Sequence, residues 1–218
     1  MTSLFVTGTD TEVGKSWISH GLIRLLARSG KQVVGMKPVA SGCRLTRDGL
    51  RSDDALLLQQ AATRTPDYEL VNPYAFEPPV APEYAATQAG VTIDPAHILR
   101  CYRALDSVAD AVVVEGVGGW RVPLAGSYDV AAMAAQLALP VLLVVNVRLG
   151  CLNHARLSAE SIQASGLELI GWVANSPDAV EVERATVSAL ERALPAPCLG
   201  VVPRLDNAGQ VSDYLLIS

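Results

Sequence analysis

The tightest constraint on this chain lies between Phe5 and Ser16, where F-V-T-G-T-D-T-E-V-G-K-S joins an apolar run to a helical pattern. A strand, a glycine-bounded loop and a helix opening on Lys-Ser together make a phosphate-binding loop. Gly8 and Gly14 let the backbone turn successive N–H groups toward phosphate oxygens, and Lys15 places a point charge beside the terminal phosphates. Ser16 offers its hydroxyl to Mg²⁺ at the start of a helix whose dipole favours an anion. Five residues, Thr9 to Val13, separate the two glycines, where the common loop has four.

Strands and helices alternate through the rest of the chain. Leu4 to Thr7 is a short strand, and Ile18, Leu22, Leu25 and Leu26 recur at helical spacing until Gly30 stops the helix. Gln32 to Lys37 is a second strand, ended by Pro38, so Lys37 stands at the carboxyl edge, where open α/β sheets bind ligands. Ser52, Asp53 and Asp54 precede A-L-L-L-Q-Q-A-A, a helix whose start is capped by the serine or by an aspartate. From Thr65 to Asp94 the chain carries Pro66, Pro73, Pro78, Pro79 and Pro82 with little periodicity, a long irregular segment of the sort that packs over a site. Pro95 opens a helix bearing Ile98, Leu99, Tyr102 and Leu105, and Asp110 to Glu115 is a strand whose A-V-V-V run suits burial on both faces. Asp129 begins a small-residue helix, Pro140 opens the strand V-L-L-V-V-N, and a helix covers Ala155 to Ser165. A strand over Leu167 to Asn175, a helix from about Val180 to Leu194 and the strand Cys198 to Val202 finish the pattern. Right-handed crossovers then predict an α/β fold with a single doubly wound, mostly parallel sheet flanked by helices.

With 218 residues, half of them apolar, the chain has material for one sizeable core, and residues 1–218 read as a single domain. A net charge of −5 disfavours a nucleic-acid partner. The chain enters a strand at once, with no signal-peptide pattern, and its most apolar stretch, Val130 to Val145, is broken by Gln136 and Pro140 and falls short of a membrane span. A soluble, cytoplasmic protein with no membrane partner is expected. Cys43, Cys101, Cys151 and Cys198 form no C-x-x-C pair and read as reduced packing residues, and His20, His97 and His154 as ordinary surface or core residues.

Several polar residues carry a choice of roles. Lys37 reads equally as a solvated charge or as a ligand-facing cation. Glu115, closing an apolar strand ahead of G-V-G-G-W, needs a cation or hydrogen-bond donors and is placed like the acid that holds Mg²⁺ in phosphate-loop enzymes. One of Asp53 and Asp54 is expected to cap its helix while the other reaches a metal. Asn175 either closes a turn or reads a base edge through its paired donor and acceptor.

Taken together, G-T-D-T-E-V-G-K-S at Gly8 to Ser16, K-P-V-A-S-G at Lys37 to Gly42, the Ser52 to Ala55 segment, V-E-G-V-G-G-W at Val114 to Trp120, L-G-C-L-N-H at Leu149 to His154 and G-W-V-A-N at Gly171 to Asn175 resemble the dethiobiotin synthetases. The five-residue loop spacing is itself a feature of that family. The resemblance implies a homodimeric, P-loop NTPase-like fold that converts 7,8-diaminononanoate, CO₂ and ATP into dethiobiotin, ADP and phosphate.

It also implies roles. Lys37, Lys15 and Thr11 would be the catalytic groups, with Lys37 acting electrostatically and not as a nucleophile. Glu12, Val13, Gly14, Lys15, Ser16 and Trp17 would surround the triphosphate, and Ser16, Asp54 and Glu115 the Mg²⁺. Gly116, Val117 and Gly118 would line the nucleotide, with Asn175, Ser176, Pro203, Arg204 and Leu205 about its adenine. Ser41 would meet the diamine end of the substrate, and Gly150, Cys151, Leu152 and Asn153, at a helix N-terminus, its carboxylate across the dimer interface. Two positions depart from the family pattern: Glu83, where a histidine is frequent, and a short tail after Leu205. The competing readings are a related amide-forming ligase and a nucleotide switch of the partitioning-ATPase type. The switch proteins usually carry an additional lysine early in the loop, which Gly8 to Val13 lacks.

Overall fold

Six strands build the central sheet: β1 (Leu4–Gly8), β2 (Val33–Met36), β3 (Ala111–Glu115), β4 (Val141–Asn146), β5 (Leu169–Ser176) and β6 (Cys198–Pro203). The structure is a computed structural model describing residues 3–176 and 180–216, with backbone alone for 176 and 180–183. The strands lie in the order β6-β5-β4-β1-β3-β2, and every neighbouring pair is parallel.

Alternation along the strands sorts the core into two layers. Leu4 and Val6 of β1 face one side, with Leu142 and Val144 of β4, while Phe5 faces the other, with Leu143 and Val145. The first layer is covered by α1 (Lys15–Arg28) and α2 (Asp53–Ala61), through Ile18, Leu22, Ile23 and Leu58. The second is covered by α3 (Pro95–Asp106), α4 (Val130–Leu137), α5 (Cys151–Ala164) and α6 (Val180–Ala193), through residues such as Leu105, Met133, Ile162 and Leu190. Helices on both faces make the sheet doubly wound, and burial on both faces is why its strands read as unbroken apolar runs.

Four local features differ from the sequence expectation. α5 begins at Cys151, four residues before Ala155, because Gly150 at φ 91° starts the helix directly after the loop. The proline-rich segment contains the short helices Tyr68–Val71 and Pro82–Gln88, and its Tyr74–Ala75 pairs with Val39–Ala40. Two small hairpins, Arg44–Thr46 with Gly49–Arg51 and Pro123–Ala125 with Tyr128–Asp129, are too short for a periodic signal. The tail forms a 3₁₀ helix, Ala208–Asp213, packed on α1 at Gly21, where any side chain would overlap Val211. All four cysteines are free thiols.

Candidate active site

The carboxyl ends of β1, β2 and β3 converge on one cleft of about 510 Å³. β1 runs out at Gly8 and the chain loops back to Gly14, the residue before α1. Glu12 at φ 59° and Gly14 at φ 93° both adopt left-handed backbone, a strain that for a glutamate is characteristic of functional loops. A Cβ on Gly8 would press on Val13 and Lys15, and one on Gly14 would overlap the Asn175 amide, so both positions require glycine. No side chain caps α1 and its first turn holds no acid, so the loop leaves the helix N-terminus open to an anion.

Lys15 is buried, and its Nζ reaches back across the loop to donate to the Asp10 carbonyl at 2.8 Å. Burial first, and the Lys37 charge second, lower its pKa from the usual 10.5 to about 8. Lys37, 3 % exposed, follows the last residue of β2 and donates to Glu115 Oε1 at 2.6 Å and Gly116 O at 3.1 Å. It also pairs with Asp54 Oδ2 at 2.8 Å. Burial works against its charge, but Glu115 and Asp54 outweigh it and raise the Lys37 pKa above the ordinary value. Burial likewise works against the charge of Asp54, and Lys37 and the Ser16 hydroxyl overcome it, so the Asp54 carboxyl titrates below its usual range.

Ser16 Oγ stands 2.7 Å from Asp54 Oδ1 and 2.8 Å from Glu115 Oε1, so three side-chain oxygens meet at one point. Glu115 is fully buried, and its Oε2 has no hydrogen-bond partner among the described residues. An orphaned carboxylate oxygen beside a second carboxylate and a hydroxyl fits Mg²⁺, which takes one or two carboxylates and completes its shell with phosphate and water. Asp54 therefore stands at the cluster while Asp53 pairs with Arg44 at 2.7 Å. Of the cap candidates Ser52, Asp53 and Asp54, it is the Ser52 hydroxyl that caps α2, accepting from Ala55 N–H, and neither aspartate does.

Thr11, Glu12, Gly14, Trp17, Ser41, Val117 and Gly118 line the same cleft. Val13 turns its side chain into the core, and its carbonyl accepts from Asn175 Nδ2 at 3.0 Å, fastening the end of β5 to the loop. Pro203 ends β6 opposite Ser176, so Arg204 and Leu205 leave the sheet at the same carboxyl edge; the Ser176 side chain lies outside the described residues. Gly150, Cys151 and Leu152 do not enter the cleft. They line a separate cavity of about 160 Å³ with Arg148, and Asn153 follows on an exposed turn of α5. Arg148 pairs with Asp10 at 3.0 Å, tying that segment to the phosphate loop. On the other side of the loop a cavity of about 480 Å³ runs from Thr9–Thr11 to His154, Leu157 and Ser158 of α5. Glu83 accepts from Gly126 N–H at 2.7 Å and so anchors a hairpin.

Sequence reasoning missed Tyr68 and Asn72, whose side chains hold the backbone around Lys37. The only signal for them was the irregular segment in which they lie.

Residues 2–212 match a family model described as an AAA domain. ATP-dependent dethiobiotin synthetase BioD of Chromohalobacter salexigens is 49% identical, covering 100% of this chain and 98% of the relative. The protein of the same name from Pseudomonas aeruginosa is 51% identical, over 95% of this chain and 92% of its own length. The chain belongs to the dethiobiotin synthetase family. Among solved structures, the septum site-determining protein MinD of Pyrococcus horikoshii, complexed with Mg-ADP, aligns at TM-score 0.56 with 18% identity, over 99% of this chain and 88% of its own. The MinC:MinD complex of Aquifex aeolicus aligns at 0.59 with 16% identity, over 97% and 86%. At that identity the likeness shows the fold alone, which this chain shares with the MinD proteins.

Proposed function

We propose that the chain catalyses the ATP- and Mg²⁺-dependent carboxylation and ring closure of 7,8-diaminononanoate with CO₂, yielding dethiobiotin, ADP and phosphate. The observation that carries this reading is the Lys37 ammonium set between Asp54 and Glu115, one hydroxyl away from the phosphate loop. One substrate amine adds to CO₂ and loses a proton, forming a carbamate. A carbamate oxygen attacks the γ-phosphorus and the bond to ADP breaks. The second amine then attacks the carbonyl carbon and gives up a proton, and phosphate leaves as the ring closes.

The difficulty in these steps is the approach of one anion to another. At ~4 Å each pair of like charges costs about 4 kcal/mol at an effective dielectric near 20. Lys15 and Lys37 are the fixed positive charges beside that encounter, and preorganised charge is what such a transfer needs. Ser16, Asp54 and Glu115 would hold Mg²⁺, which when bound supplies further charge neutralisation. The N–H groups of the loop, Thr11 and the open end of α1 would hold the phosphates, and Ser41 would fix the reacting end of the diamine. Asn175 and the segment after β6 would border the adenine.

The N-terminus of α5 at Gly150 to Asn153 would receive the substrate carboxylate from a second copy, making a homodimer. Leu149, 99 % exposed, and the exposed Leu157 support this as a surface meant to be covered. Residues 1–218 act as one domain in this reading, in the cytoplasm; among the described residues no helix is long and apolar enough to cross a membrane. ADP release measured with ATP, Mg²⁺ and bicarbonate, with and without 7,8-diaminononanoate, tests the reaction. Diamine-dependent release with a cyclic urea product by mass is the expected result, and release indifferent to the diamine would overturn it.

A further inference from the structure

We propose that Asn72 and Tyr68 are positioning residues that hold Lys37 in register with Asp54 and Glu115. The inference rests on the catalytic reading of Lys37 given above. Sheet pairing of β2 with β3 ends at Met36 opposite Val114, so Lys37 is the first residue without a ladder to fix its backbone. The segment Tyr68–Asn72 replaces that ladder. Lys37 N–H donates to Val71 O at 2.8 Å, and Asn72 Nδ2 donates to Lys37 O at 2.7 Å and to Tyr74 O at 3.2 Å.

The same amide reaches the other half of the site. Asn72 Oδ1 accepts from the Tyr68 hydroxyl at 2.9 Å, and that hydroxyl accepts from Ser52 N–H at 2.7 Å. Ser52 caps α2, whose first turn carries Asp54. One chain of hydrogen bonds therefore connects the backbone of the lysine to the backbone two residues before its aspartate partner. Asn72 is 4 % exposed, so any group it leaves unpaired stays unpaired. The Arg51 guanidinium, 4.1 Å above the Tyr68 ring, holds the phenol in place. A lysine side chain has four rotatable bonds, and a small shift of its backbone is magnified at Nζ, where a displacement of about 1 Å can cost on the order of a hundred-fold in rate.

Tyr68→Phe removes one hydroxyl and keeps the ring and its Arg51 contact; Asn72→Ala removes the amide. Both proteins and the wild type are to be compared by steady-state ADP release, calorimetric Kd for MgATP and the ¹H–¹⁵N resonance of the Lys37 ammonium in ¹⁵N-lysine-labelled protein, assigned by its loss in Lys37→Ala. The expected result is a kcat lowered roughly ten- to a hundred-fold with an unchanged MgATP Kd. The Lys37 resonance should shift and broaden in both variants. A resonance that stays in place with kcat unchanged, or a Kd that weakens in step with kcat, would overturn the inference. Should Asn72→Ala not fold, Tyr68→Phe carries the test. Wild-type protein without diamine-dependent turnover would refute the functional reading, and the resonance would still decide whether Asn72 and Tyr68 position Lys37.

Discussion

Lys37 is held by the two carboxylates that would also hold the metal, through Asp54 Oδ2 at 2.8 Å and Glu115 Oε1 at 2.6 Å. Lys37→Ala should lower kcat by about 10²–10³, as the loss of one preorganised charge does, while MgATP still binds by calorimetry. An active variant would refute the assignment. Lys15 gives a second test through pH. Its pKa of about 8, against the usual 10.5, means that in the nucleotide-free protein it loses its proton as pH rises through 8. ATP affinity should therefore fall from pH 7 to 9.5, and nucleotide binding near pH 8.5 should take up a proton, measurable by calorimetry in buffers of different ionisation enthalpy. The stability effect has the opposite sign: below pH 8 the buried charge costs the fold in full, and between about 8 and 10.5 that cost is relieved because only the unfolded chain remains protonated.

α2 shows how an element can be read correctly while the sequence leaves open which of its residues is the cap. Ser-Asp-Asp before an apolar run announces a helix start whichever residue caps it. The cap is Ser52, which frees Asp54 to face Lys37 and Ser16 and Asp53 to pair with Arg44. Ser52→Ala should cost about 1 kcal/mol, a fall of about 2–4 °C in Tm for a chain of this size. Turnover should fall with it, since Asp54 sits in the first turn that loses its cap; a lowered Tm with full activity would separate the cap from the site. α5 differs for a local reason: its first turn contains Asn153 and His154, polar residues that weaken the apolar period, so its start became visible only through Gly150.

For the molecule as a whole, the proposed homodimer would cover the exposed leucines Leu149 and Leu157. Leu149→Glu with Leu157→Glu should convert a particle of twice the 23.0 kDa chain mass into a monomer in sedimentation, with loss of diamine turnover. A wild-type monomer would count against the homodimer. The architecture needed little beyond the sequence. An apolar strand running into Gly8–Ser16, five further apolar runs and the helices between them admit one class of sheet, and local chain chemistry is enough to encode each piece. Lys15 and Ser16 declare their chemistry because loop and helix start are adjacent in the chain. Lys37, Asp54 and Glu115 stand on three separate elements, and nothing in their spacing states that they meet within 3 Å; only the pairing of β1 and β2 on either side of β3 and the packing of α2 decide it. Tyr68 and Asn72 were hidden for the same reason, since their partners lie 16 and 35 residues away and a hydrogen bond across such distances leaves no period in the sequence.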